Sequence, residues 1–276
     1  FLGYLLNLFR ETIPTWLSLE MGLVTYEQLG KYTPINGLLV ADILQLSGIA
    51  LAICVLLKRY LPSPQLWLIL AIAIIFGSPY IWDIKSGMPI LDYLLNLLWG
   101  NEHNGVMFPL FPWLAYPIVG MTVGHWFNHN QNTQRSFNQT LIAGLVICSF
   151  GAIITISDVA YHTADHLRPG PGVIIIVTGF VFLWLYMCNL LASFTSNNAY
   201  SLLMCFWSKN VTAMYFIHYL FIGWGLMLFG YQQLSLTSTL LLMISIGLLT
   251  DQTARVWLRI KQVGKKSVNQ SIVTNS

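Results

Sequence analysis

Apolar runs of roughly 17–22 residues recur along almost the whole chain, with charge confined to the short stretches between them. A helix rises about 1.5 Å per residue, so each run matches the ~30 Å hydrocarbon core of a bilayer. The composition agrees: 56% of residues are hydrophobic and 8% charged, with a mean hydropathy of +0.65. Soluble domains carry about 25% charged residues, so a water-facing surface cannot be built from this sequence. A transmembrane β-barrel needs alternating segments of about ten residues, and these are absent. The predicted fold is an all-α, polytopic transmembrane helical bundle.

Eight membrane segments are predicted, at about 1–17, 38–57, 65–82, 107–127, 141–157, 172–193, 211–230 and 235–257. The piece MPILDYLLNLLWG, 88–100, is too short to span and has an amphipathic pattern, which places it at the interface or in a re-entrant position. A single transmembrane domain then covers 1–260, followed by a polar, loose tail at 261–276. The chain opens at Phe1 inside the apolar FLGYLLNLF, without a cationic leader region or cleavage site. It therefore reads as a fragment lacking upstream membrane segments, not as a signal peptide.

The loops divide by charge. One face collects Lys58, Arg59, Arg135, Lys209, Arg255, Arg259, Lys261, Lys265 and Lys266. The other has Arg10, Lys31, Lys85 and Arg168 with nearly all the acids, Glu11, Glu20, Glu27, Asp83, Asp92, Glu102, Asp158 and Asp165. The positive-inside rule makes the first face cytoplasmic and puts the C-terminus inside. If 88–100 crossed the membrane, the later loops would swap faces and most of this asymmetry would vanish. The glycosylation patterns at Asn138, Asn210 and Asn269 all fall on the cytoplasmic side and are chance matches. A multi-pass protein of a bacterial inner membrane is expected. Cys54, Cys148, Cys188 and Cys205 lie in or beside apolar runs without CxxC spacing and are predicted to be buried structural thiols.

Polar residues sort into two groups. On the outer side lie Asp42, Glu102 and His103, followed by the motif FPLFPW (108–113), and the loop DVAYHTADHLRPGPG (158–172). An intramembrane carboxylate such as Asp42 marks either a helix-to-helix pairing or a substrate contact. In the loop, His162 and His166 are four apart with Asp165 and Arg168 beside them. Imidazole can act as general base, a carboxylate can orient it, and arginine can grip an anion. The plainer reading is a solvated turn whose prolines and glycines return the chain to the membrane. Pro109 and Pro112 suit a helix start, where N–H groups lack partners, and Trp113 and Tyr116 suit the interfacial aromatic belt. A metal centre is not expected. His125 and His129 form a second His-x-x-x-His pair, but at the other end of their helix, a bilayer's thickness (about 30 Å) from His162 and His166. On the inner side, SKNVTAMYFIHYL (208–220) puts Lys209 and Asn210 at a helix entrance. His218 lies about 12 Å further in by helical rise, where a hydrogen bond to a neighbouring helix is expected.

The stretches VADILQLSGIALAICVLLKR, FPLFPWLAYPIVGMTVG, HLRPGPGVIIIVTGFVFLWL and SKNVTAMYFIHYL, in this order and spacing, resemble the transmembrane acyltransferases related to heparan-α-glucosaminide N-acetyltransferase, with the acyltransferase-3 group as a cousin. The resemblance implies transfer of an acetyl or other acyl group from cytoplasmic acyl-CoA to a hydroxyl or amine of a sugar-like acceptor on the outer face. It implies acyl-CoA as a co-substrate, with no bound cofactor and no nucleic-acid partner, and leaves homo-oligomerisation open. In those terms His162, Asp165 and His166 are the catalytic candidates. Asp42, Glu102, His103 and Arg168 face the acceptor, and Arg135, Lys209, Asn210 and His218 hold acyl-CoA. The family's first membrane segment carries an Arg/Asp/Arg-Gly motif and a histidine associated with catalysis. Neither is present here, so this fragment is expected to be inactive alone. The alternative is a transporter or exporter accessory using the same polar groups, although no inverted repeat is apparent.

Overall fold

The structure is a computed structural model that describes residues 1–30, 33–82, 84–100, 106–130, 132–195, 198–229 and 234–274. In chain order the helices are α1 (Leu2–Asn7), α2 (Ile13–Glu20), α3 (Tyr26–Leu29), α4 (Pro34–Leu39), α5 (Ile43–Tyr60), α6 (Pro64–Gly77), α7 (Pro89–Trp99) and α8 (Leu110–Trp113). They continue as α9 (Ala115–His129), α10 (Thr133–Ser157), α11 (Val159–Thr163), α12 (Pro171–Phe194), α13 (Ala199–Lys209), α14 (Val211–Phe229) and α15 (Leu236–Thr274). Among the described residues there is no strand, and a lone parallel bridge joins Ala41 to Val106. The chain divides into two compact units, Phe1–Gly3 with Val40–Ser196 and Tyr4–Leu39 with Asn197–Ser276.

Four helices are long and apolar enough to cross a membrane: Ile43–Tyr60, Thr133–Ser157, Pro171–Phe194 and the Leu236–Lys261 part of α15. Pro64–Tyr80 and Val211–Gly225 are shorter apolar helices. Two of the predicted segments are broken. In 1–17 a π-helical turn at Leu8–Thr12, carrying buried Arg10, separates α1 from α2. In 107–127 the helix is interrupted at Phe111 (φ −103°, ψ 121°), before a cis Phe111–Pro112 bond. Pro109 and Pro112 have no N–H to give, so one continuous ladder through 107–127 cannot form. Residues 88–100 form the eleven-residue α7, too short to span, ended by Gly100 in the left-handed region at φ 68°. Past Lys261, where a loose tail is predicted, α15 runs on to Thr274. No proline interrupts it, and a nucleated helix propagates at little cost.

In the first unit, α5, α6, α8, α9 and α12 share a core in which Trp67, Ala71, Ile118 and Ile174 are fully enclosed. The tightest pairing is the antiparallel hairpin of α10 and α12. Gly144 and Gly151 on α10 meet Gly179 and Gly172 on α12, in two pairs seven residues apart along each helix. A Cβ on Gly151 would come within 2.7 Å of the Ile176 nitrogen, and one on Gly179 within 2.6 Å of the Cys148 nitrogen. Small residues allow this backbone approach, which replaces the hydrophobic drive that lipid does not supply. Of the four thiols, Cys54 is buried and Cys148 partly so, while Cys188 and Cys205 are exposed. The expectation of four buried thiols is corrected at those two positions: an apolar helix in lipid is apolar on its outer face too.

In the second unit, Gly223 of α14 packs against the π turn so closely that a Cβ there would strike the Arg10 carbonyl. The Arg10 guanidinium lies 4.5 Å from the centre of the Tyr219 ring and pairs with Glu11 at 3.4 Å. Ring face and carboxylate together offset the cost of burying this cation.

Candidate functional site

The loop after α10 is built around His162. Asp158 caps α11, its carboxylate accepting from the Tyr161 N–H at 3.0 Å. The chain then folds back so that the Gly170 N–H donates to the His162 carbonyl at 3.1 Å, and Pro171 opens α12. Both glycines of the GPG run are required by space. A Cβ on Gly170 would lie 2.5 Å from His162 Nδ1, and one on Gly172 would lie 2.9 Å from the Thr155 nitrogen. The buried His162 ring accepts the Gly172 N–H at Nδ1, 3.3 Å away. With Nδ1 accepting, the neutral ring carries its proton on Nε2 and offers a donor, not a lone pair.

Arg168 clasps the loop from the other side. Its Nε donates to Asp165 Oδ2 at 3.0 Å and its Nη1 to the carbonyl of Gly100, the residue that ends α7. The Trp82 ring lies 5.8 Å from the guanidinium. Asp165 also accepts from the Leu167 N–H at 2.8 Å. Burial alone would push its carboxyl up, but the Leu167 N–H and the Arg168 guanidinium more than offset it and hold the group below the usual carboxylate range. Asp165 is therefore an ionised acceptor at neutral pH and not a proton donor.

The FPLFPW motif meets this loop. The Trp113 indole N–H donates to the Leu167 carbonyl at 2.8 Å, and Phe108 packs edge-on to Trp113 at 5.0 Å. Between them lies a cavity of about 290 Å³ lined by Trp113, Tyr116, His162, Asp165, His166 and Val173, among others. His166 is exposed at this cavity and makes no hydrogen bond among the described residues, so both ring nitrogens stay available. His162, Asp165, His166 and Arg168 thus come together as one cluster.

The other predicted positions are elsewhere. Asp42 is the N-cap of α5: its Oδ1 accepts from the Ile43 N–H at 2.7 Å, and Gln45 Oε1 closes the capping box by accepting the Asp42 N–H at 3.1 Å. The Ala41–Val106 bridge carries this cap to the start of the FPLFPW stretch. Glu102 and His103 lie outside the described residues. Arg135 is in the first turn of α10, about 33 Å by helical rise from the loop at its far end. Lys209 and Asn210 close α13 in the second unit, with Asn210 Nδ2 bonded to the Phe206 carbonyl at 2.8 Å. His218 donates Nδ1–H to the Tyr215 carbonyl of its own helix at 3.0 Å. His125 and His129 stack at 4.2 Å, and among the described residues no three His, Cys, Asp or Glu side chains converge as metal ligands. Sequence reasoning missed the contact role of Gly170 and Gly172, for which the signal was the GPG run itself, and the indole bond of Trp113, for which there was none.

Residues 12–154 match the family model described as heparan-alpha-glucosaminide N-acetyltransferase, catalytic, over more than half of the chain. The chain belongs to that family. Membership points to a membrane acetyltransferase. The matched span contains α5 to α9 and the FPLFPW motif, and stops within α10, just short of the His162 loop that packs on that motif. Comparison with curated proteins and with solved structures gives no match.

Proposed function

We propose that the protein moves an acetyl group from acetyl-CoA, or a related acyl-CoA, at the cytoplasmic face of a bacterial inner membrane to a hydroxyl or amine of a saccharide at the outer face. The observation that carries this reading is the joining of FPLFPW and the His162 loop around one small cavity in a member of an acetyltransferase family. In this proposal His166 takes the proton as the acceptor oxygen or nitrogen attacks the acetyl carbonyl, and the C–S bond to CoA breaks with the thiolate leaving. His162 offers Nε2–H to the acceptor. Asp165 and Arg168 hold the loop in place, Arg168 facing the acceptor together with Asp42, Glu102 and His103. Arg135 in the first unit and, separately, Lys209, Asn210 and His218 in the second are the acyl-CoA candidates, each cation suited to a pyrophosphate oxygen.

Acetyl-CoA binding by the full-length protein in nanodiscs, with free CoA as competitor, tests the donor half. Saturable, CoA-competed binding is expected. His166→Ala should leave that binding intact and lower transfer by roughly 10²–10⁴-fold, the usual contribution of a general base. No binding removes the acyltransferase reading, and unchanged transfer removes His166 from it.

A further inference from the structure

An apolar cavity of about 820 Å³ lies wholly within the second unit, between α13, α14 and α15. Its wall follows α14 from Val211 to Gly225, about 21 Å at helical rise. That is a long, narrow space in the size range of ligand sites, about 300–1,000 Å³. It opens sideways. Met243 lines it and is 64% exposed, and its neighbours Leu240, Leu241 and Ile244 on α15 are exposed as well. In a chain of this hydropathy such faces meet hydrocarbon, so the mouth faces lipid and not water.

Tyr215 and His218 lie along the wall and Thr239 near its far end, but the charged groups gather at one end. There Trp207 and Ser208 of α13 approach Thr250 of α15. The Trp207 indole N–H donates to Asp251 Oδ1 at 2.8 Å, and Arg255 holds both oxygens of the same carboxylate at 2.7 and 3.1 Å. Thr250 is 3% exposed, and its Oγ1 is buried with no hydrogen-bond partner among the described residues. Lys209, Arg255, Arg259 and Lys261 lie at or beyond this end, while the sequence from 199 to 276 holds Asp251 as its single acid. The end is therefore cationic after the Asp251–Arg255 pair is formed. A neutral chain would leave that charge uncompensated, and a water-soluble anion would gain nothing from the apolar wall.

We propose that this cavity holds one acyl chain of an anionic phospholipid, with the phosphate at the cationic end on the side of Arg259 and Lys261 and the chain lying along α14 toward Gly225. Gly247 lines the cavity, and a Cβ built there meets nothing within 4 Å, so leucine at this position fills the cavity without displacing backbone. Gly48 of α5 is equally open but lies in the other unit, which makes Gly48→Leu a matched control. The full-length protein is extracted by detergent from nanodiscs of equal phosphatidylglycerol and phosphatidylcholine, and retained phospholipid is read by native mass spectrometry. The unmodified and Gly48→Leu proteins should retain phosphatidylglycerol in preference to phosphatidylcholine. Gly247→Leu should lose it by roughly tenfold, and Arg259→Gln with Lys261→Gln should narrow the preference. Equal retention of the two lipids overturns the anionic headgroup. Retention by Gly247→Leu matching the unmodified protein, or no retained phospholipid at all, overturns the site.

Discussion

Asp165 shows how one side chain settles what its neighbours can do. It is engaged by the Leu167 N–H and by Arg168, and that engagement fixes the loop on which both histidines stand. Because its carboxyl titrates below the ordinary value of about 3.9, its contribution to stability is complete above that value and is lost as pH falls through the lower, folded-state value. Replacing Asp165 with Asn should therefore lower stability by about 1–3 kcal/mol at pH 7, the scale of charge-assisted hydrogen bonds. The deficit should be constant between pH 5 and 8 and shrink only in stronger acid. Thermal unfolding of both proteins in nanodiscs from pH 3 to 7 measures this, and a deficit that already shrinks near pH 6 would show that another group controls the loop.

At the scale of elements, the α10–α12 hairpin is the rigid post that presents the His162 loop. Its seam depends on four glycines, and the distances leave no room for a side chain at any of them. Gly151→Leu or Gly179→Leu should cost at least the usual 1–3 kcal/mol or so of overpacking, because the obstacle is backbone and cannot rotate away. Gly120→Leu on α9, where a Cβ meets nothing within 4 Å, should be nearly silent. Size-exclusion profiles of the three variants in detergent separate these cases, and three equally monodisperse peaks would dismiss the seam. This hairpin was partly legible in the sequence: two long apolar runs joined by HLRPGPG, each with glycines seven apart. What could not be read was the partner of the loop. Trp113 reaches Leu167 across 54 residues of chain, and no local pattern specifies so distant a bond.

For the molecule as a whole, the same composition that makes the class obvious hides the interior. Trp67 is 2% exposed and Trp184 is 56% exposed, yet both sit in uniformly apolar helices. Lipid and core accept the same residues, so hydropathy marks a helix for the membrane without saying which face packs. The division into two units was unreadable for that reason, whereas charge remains informative because lipid rejects it on every face. Sidedness is accordingly the whole-molecule property that charge predicts and packing does not. With Arg135 at one end of α10 and Asp165 beyond the other, the proposed orientation puts Thr133 inside and Ala164 outside. In a background lacking the four native cysteines, Ala164→Cys should react with a membrane-impermeant maleimide in intact cells, and Thr133→Cys only after permeabilisation. The reversed pattern would exchange the donor and acceptor faces, moving the saccharide to the cytoplasm. Labelling of both from one side would mean that α10 does not cross, and the separation of the two half-sites would then have no physical basis.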